Sequence, residues 1–178
     1  RGNRWAAQII IDRRNEPLDP RDVPDGRPPD DRDAAAQWLD SGAQMVLDAV
    51  DRVGSDTRVW TFLGPRPAGW WIRRRLHEAT VHRADAAMAL GADYELSPEL
   101  SGDALSEWIE RTCVDRRHPP RLDRGQSIHL HATEEALGPT GEWTIVHDED
   151  GVGVARDVGV RLVMDDFDAR ECCAEPGE

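Results

Sequence analysis

The sequence predicts a mainly α-helical protein, in which an up-and-down helical bundle is followed by a partial small α/β module. Before residue 115, apolar residues recur every three to four positions in several segments, which is the spacing of amphipathic helices. From Ser127 onward the apolar residues alternate with polar ones, which is typical of strands. Prolines and glycines cluster between these segments, where loops are expected.

The first two helices are predicted from their apolar faces and from the residues that end them. Residues 1–11 place Trp5, Ala6, Ile9 and Ile10 on one side of a helix. Residues 15–33 contain five prolines and therefore predict a loop. A second helix follows over residues 34–53, where Asp33 is a candidate N-cap and Gly54 ends the helix.

A third helix, over residues 70–90, contains the strongest candidate site. No proline or glycine interrupts it before Gly91, which is a suitable C-terminal residue. Glu78 and His82 are four residues apart and share one face, so that a carboxylate oxygen and an imidazole nitrogen could bind one divalent ion. Zinc suits these ligands, although manganese and nickel also bind carboxylate-rich sites. The alternative is an exposed hydrogen-bonded pair. Glu78 and His82 are expected to point into one interior cleft of the bundle, and the neighbouring His77 is expected to point away from it.

The string W-x-x-R-R-x-x-H-E-x-x-V-H-R-x-D-A, over residues 70–86, resembles the mycothiol-dependent maleylpyruvate isomerase family. The resemblance implies a DinB-like, metal-binding four-helix bundle whose first helix is incomplete here. The metal ligands of the family are a Glu and a His of this string and a His of the first helix. The first two roles correspond to Glu78 and His82, and the third position lies a few residues before Arg1.

Beyond this motif, a fourth helix is predicted over residues 100–112, and a linker over residues 116–123. Asp103 and Glu107 are four residues apart on the fourth helix, and they are expected to face solvent, with a second metal as the alternative. His129 and His131 share one face of a predicted strand. They could bind a metal, but the sequence indicates no third ligand, so an exposed polar sheet face is expected.

The domain organisation follows from these segments. Residues 1–115 are predicted to form the bundle, residues 124–165 a partial C-terminal α/β domain, and residues 166–178 an atypical acidic tail. The tail contains Cys172 and Cys173, and Cys113 is the third cysteine of the chain. Three cysteines without metal-site spacing predict incidental reduced thiols rather than disulfides.

Composition excludes several classes of partner. The net charge of −13 argues against nucleic acid, and no apolar run approaches the length of a membrane span. The chain shows no secretory leader, so a cytoplasmic location is expected. All 22 basic residues are arginine, which with abundant Ala, Asp and Gly suggests a GC-rich, actinobacterial genome. Such an organism fits the use of mycothiol.

The resemblance implies a metal-dependent, mycothiol-assisted isomerase or transferase, with zinc as the expected metal and a small organic acid as substrate. The expected assembly is a monomer or a homodimer. Arginines of the third helix (Arg73, Arg74, Arg75 and Arg83) could bind a dicarboxylate, or they could form ion pairs on the helix surface. The alternative function is a non-catalytic module with a degenerate site, which binds a metal or another small ligand.

Overall fold

The computed structural model describes residues 1–114, 121–149 and 151–155, in two compact units, Arg1–Glu95 and Leu96–Glu178. Most of the predicted linker, the part of the predicted C-terminal domain beyond residue 155, and the tail with Cys172 and Cys173 lie outside the described residues.

The first unit contains three α-helices and one very short β-hairpin. The helices are α1 (Gly2–Ile11), α2 (Arg32–Val53) and α3 (Gly69–Leu90), and the strands are β1 (Arg58–Val59) and β2 (Arg66–Pro67). A 3₁₀ turn (Pro20–Asp22) lies within the proline-rich loop. The three predicted helices are confirmed in this unit.

Local sequence explains where these helices begin and end. The carboxylate of Asp31 accepts a hydrogen bond from the backbone N–H of Ala34 at 2.9 Å and caps α2. Asp33, the predicted cap, lies instead in the first turn, where its charge complements the helix dipole. Gly91 ends α3 in the left-handed conformation, at φ 63°, as predicted.

An aromatic cluster forms the core of the first unit beside the apolar face of α1. Trp71 is buried, and its indole N–H donates to the backbone oxygen of Trp60 at 3.1 Å. The rings of Trp5 and Trp70 meet Trp71 edge-on, with centroids 5.3 and 5.1 Å away. Core residues of α1 and α2 surround the cluster: Ala6, Ala7, Ile9, Ile10, Val46, Ala49 and Val50. This packing fixes the first turn of α3 against α1.

The second unit packs one helix on a small antiparallel sheet. Helix α4 spans Pro98–Val114, and strands β3 (Ser127–His131), β4 (Glu142–Asp148) and β5 (Gly151–Ala155) lie in the order β3-β4-β5. The indole N–H of Trp143 donates to the hydroxyl of Ser106 at 2.8 Å, and Ile109, Ile145 and Val154 complete the core. The predicted change to strand periodicity is therefore confirmed.

The described residues are mainly helical, as predicted, and small antiparallel sheets accompany the helices. A four-helix DinB-like bundle stays a prediction, because α4 belongs to the second unit and the first unit contains three α-helices. The proposed domain limits at residues 115 and 124 also stay predictions. Among the described helices, none combines the length and apolar character needed to cross a membrane.

One side-chain expectation on α4 is wrong. Glu107 is buried, although Asp103 is exposed as expected. An Arg111 guanidinium nitrogen lies 3.8 Å from a Glu107 carboxylate oxygen. Their spacing of four residues predicts that the two carboxylates share one face of α4. The spacing does not show that packing buries one of them.

Replacing Trp71 by alanine should lower the free energy of unfolding by about 3–5 kcal/mol, since the change removes a fully buried indole and leaves a cavity. Urea denaturation followed by circular dichroism measures the loss. Trp108→Ala is the matched control, because the Trp108 side chain is about half exposed and should cost much less. Equal losses in the two variants would show that the aromatic cluster does not dominate the core.

Candidate functional site

The pair Glu78 and His82 lies in the second half of α3. Glu78 Oε1 and His82 Nε2 are 4.0 Å apart, so the two side chains share a face, as predicted. The side chain of Glu78 is 34% exposed and that of His82 is 70% exposed. His82 therefore faces solvent while Glu78 is half-buried, and the expectation that both residues point into an interior cleft is wrong.

His77 is the buried histidine of α3, contrary to the expectation that it points away from the interior. Helical spacing correctly separated it from Glu78, since adjacent residues project about 100° apart. Spacing alone, however, does not say which side of a helix the core covers. Packing places His77 inside and leaves the imidazole of His82 at the surface.

Two arginines hold the other oxygen of the Glu78 carboxylate. Arg75 Nη1 lies 2.6 Å from Glu78 Oε2, and Arg74 Nη2 lies 3.4 Å from the same atom. Burial acts to raise the pKa of the Glu78 carboxyl, but the hydrogen bonds and charges of these arginines outweigh it, so that the pKa is lowered. The carboxylate is therefore ionised at neutral pH, with Oε1 directed toward His82.

Arg75 also connects α3 to the beginning of α1. Its Nε donates to Asn3 Oδ1 at 2.8 Å, while its Nη1 binds Glu78. Gly2 lies so close that a Cβ atom at this position would be 2.5 Å from the guanidinium group of Arg75. Glycine at position 2 therefore makes room for the guanidinium between the two helices. Sequence reasoning missed this connection, because Asn3 and Arg75 are 72 positions apart.

His82 has a second carboxylate partner that orients its ring. His82 Nδ1 lies 3.2 Å from Asp85 Oδ2, one turn further along α3. If Nδ1 carries the proton, it donates a hydrogen bond to the Asp85 carboxylate, and Nε2 keeps its lone pair on the side of Glu78. A carboxylate behind the second ring nitrogen is the usual support of a metal-binding histidine. Asp85 was missed as a partner, although its position three residues after His82 was visible in the sequence.

The donor set therefore fits part of a metal site. A carboxylate oxygen and a supported imidazole nitrogen suit zinc, and they would fill two of its four usual positions. Among the residues that the structure describes, no group of three or more His, Cys, Asp or Glu side chains is arranged to hold an ion.

Three of the four arginines that could bind a dicarboxylate make contacts within the first unit. Arg74 and Arg75 bind Glu78, and the guanidinium of Arg83 lies 5.0 Å from the centroid of the Tyr94 ring. The Tyr94 hydroxyl in turn donates to the backbone oxygen of Thr80 at 3.0 Å. These contacts favour the interpretation that these three arginines stabilise the helix.

Replacing Arg75 by glutamine should lower the free energy of unfolding by about 1–3 kcal/mol at neutral pH, because a hydrogen-bonded charge is lost. Thermal and urea unfolding across a pH series would measure this loss in the free energy of unfolding. Since the pKa of Glu78 is depressed in the folded protein, this stabilisation is present above the unfolded pKa and disappears as the pH falls through the folded pKa. Arg52→Gln, at the C-terminal end of α2, is the control, and a loss independent of pH would contradict the role of Glu78.

Comparison with known proteins gives one match. Residues 1–87 match the family model described as the mycothiol maleylpyruvate isomerase N-terminal domain, and this range includes Glu78, His82 and Asp85. No curated protein and no solved structure matches the chain. The match over residues 1–87 thus confirms the family resemblance that the motif in residues 70–86 indicated.

Proposed function

We propose that the protein is a metal-dependent, mycothiol-assisted isomerase or transferase that acts on a small organic acid. Glu78 and His82 are the proposed metal ligands. The observation that carries the proposal is the 4.0 Å separation of Glu78 Oε1 and His82 Nε2 within the segment that matches the family. We further propose zinc as the metal, and a cytoplasmic monomer or homodimer as the working form.

The side chains around the pair support its role as ligands. Arg75 and Arg74 hold Oε2, which keeps the carboxylate ionised and leaves Oε1 to bind an ion. With a proton on His82 Nδ1 donated to Asp85, the Nε2 lone pair is directed to the same place. Both donor atoms are thus oriented before any ion binds.

The third ligand is proposed to be a histidine of the first helix that lies before Arg1, as the family resemblance implies. The start of α1 supports this placement, because Gly2 and Asn3 lie against Arg75. Since Arg75 also binds Glu78, the N-terminal end of α1 lies beside the proposed ligands. A helix continued upstream by one or two turns would run past the pair.

A bound divalent ion would supply a position where a thiol is held as its nucleophilic thiolate, able to add reversibly to the double bond of a maleyl-type acid. The described residues contribute the ligands and their orientation. Cys113 is not suited to act as the thiol, since burial raises the pKa of its side chain and favours the protonated form.

A non-catalytic module is the second candidate function. The two guanidinium groups beside Glu78 supply positive charge where a metal ion would, so the carboxylate is stabilised without an ion. A protein that had lost the chemistry could keep this arrangement for stability or for binding another small ligand. Metal affinity therefore separates the two candidates.

Titration of the chain with Zn²⁺ or Co²⁺, followed by calorimetry or by the Co²⁺ absorption spectrum, tests the ligands. We expect weak binding, because two ligands of one helix fill half of a tetrahedral shell. Glu78→Gln and His82→Ala should each reduce the affinity at this site by tenfold or more. Glu95→Gln, at an exposed position, is the control and should have no effect.

The position of the third ligand is tested by extending the chain with its native upstream residues. Addition of a first-helix histidine should raise the affinity at least tenfold, since a whole ligand is gained. Tight, one-to-one binding of equal strength in both chains as monomers, lost in each on Glu78→Gln and His82→Ala, would show that the third ligand lies within residues 1–178. In that case the assignment by resemblance would be wrong.

Turnover by the extended chain with a maleyl-type acid should require mycothiol and should not require Cys113, Cys172 or Cys173. The three cysteines are replaced together by serine, and isomerisation is followed with and without mycothiol. The variant should keep its activity in the presence of mycothiol, because the thiol comes from the added molecule. Complete loss of activity in a correctly folded variant would contradict the proposal.

A further inference from the structure

Two histidines and a glutamate meet on the open face of the sheet in the second unit. His129 and His131 belong to β3, and Glu142 is the first residue of the neighbouring strand β4. His129 Nε2 lies 2.7 Å from Glu142 Oε2, and His131 Nδ1 contacts Glu142 Oε1. The strand pairing thus supplies the third side chain that the sequence did not indicate.

The register of the strands explains why these side chains meet. His131 lies directly opposite Glu142, and the next pair, Ala132 with Gly141, is linked by a backbone hydrogen bond of 2.8 Å. Hydrogen-bonded and non-hydrogen-bonded pairs alternate along an antiparallel ladder, so His131 and Glu142 form the second kind, in which side chains approach most closely. His129, two residues earlier, projects from the same face and reaches Glu142 diagonally.

All three side chains are accessible from solvent. The side chains of His129, His131 and Glu142 are 55%, 65% and 30% exposed. The core of the unit, with Trp143 and Ile145, is formed by the intervening β4 positions, which point to the opposite face of the sheet. The three polar groups can therefore change rotamer without disturbing the core.

We propose that His129, His131 and Glu142 form a surface site for a divalent transition metal ion, separate from the site at Glu78 and His82. Two imidazole nitrogens and one carboxylate oxygen are the donor set of many open zinc sites, with one position left for water. Imidazole ligands also suit copper and nickel, whereas magnesium and calcium prefer oxygen ligands. The site is therefore selective for zinc, copper or nickel over magnesium and calcium.

In the described conformation the three side chains contact one another. Each imidazole binds a different oxygen of Glu142, and in this conformation no group of three or more His, Cys, Asp or Glu side chains among the described residues could hold a metal ion. Binding an ion therefore requires exchange of the two His–Glu contacts for metal bonds, through rotation of exposed side chains. Because the backbone register already brings the donors together, the sheet itself need not move.

The test uses the full chain carrying Glu78→Gln and His82→Ala, so that the site on α3 cannot contribute. Ni²⁺ or Zn²⁺ is added at pH 7.5, and binding is followed by calorimetry and by the ¹⁵N resonances of the imidazole rings. We expect both imidazole rings of β3 to shift together with saturable binding. Mg²⁺ should leave these resonances unchanged.

Substitutions then identify the ligands in the same chain. His129→Ala, His131→Ala and Glu142→Gln should each weaken Ni²⁺ or Zn²⁺ binding at least tenfold. Ser127→Ala is the matched control, because Ser127 is exposed on the same strand and face, two residues before His129. It should bind as tightly as the parent chain. Circular dichroism verifies that all four variants keep their fold.

Two results would overturn the proposal. One is an absence of shifts in the His129 and His131 resonances during the titration. The other is metal affinity within twofold of the parent in all three ligand variants, which would place the bound ion elsewhere in the chain. Neither result bears on the proposed function, since the ligands on α3 have been removed from the tested chain.

Discussion

The burial of Trp71 is the interaction on which the arrangement of the first unit depends. Its indole lies among the rings of α1 and of the β-hairpin region, and it donates a hydrogen bond to the backbone of Trp60. A buried indole of this size fixes the distance and rotation of the helix that carries it. Since Glu78 follows Trp71 by about two turns on the same helix, the aromatic cluster also determines where Glu78 lies relative to α1.

A network of polar contacts around Arg75 lies beside the aromatic cluster. The packing of that cluster sets the distance between α1 and α3, which the network connects. The guanidinium of Arg75 lies between Asn3 of α1 and Glu78 of α3, in the space left by the missing side chain of Gly2. Its donors satisfy an amide oxygen and a carboxylate oxygen together, which the forked shape of arginine allows. The same contact that stabilises the helix pair leaves one oxygen of Glu78 directed toward His82.

The two candidate metal sites are built on different principles. On α3, the donors are brought together by helical spacing, since residues four apart share a face. On the sheet, they are brought together by pairing between β3 and β4, which depends on the register of two segments separated in sequence. On α3, Arg75 and Asp85 contact Glu78 and His82 and orient them. On the sheet, the donor side chains contact one another instead.

The sequence by itself determined the helices, the change to strand periodicity and the face shared by Glu78 and His82, because these depend on contacts within a few residues. It also indicated the family, through the motif in residues 70–86. Only the tertiary structure decided that His77 and Glu107 are buried, that His82 is exposed, and that Arg75 binds Asn3 and Glu78. These features depend on which face meets the core and on pairs far apart in the chain. Local periodicity contains no information about either the buried face or the distant pairs. For the same reason, the sequence did not indicate that Glu142 is the partner of His129 and His131.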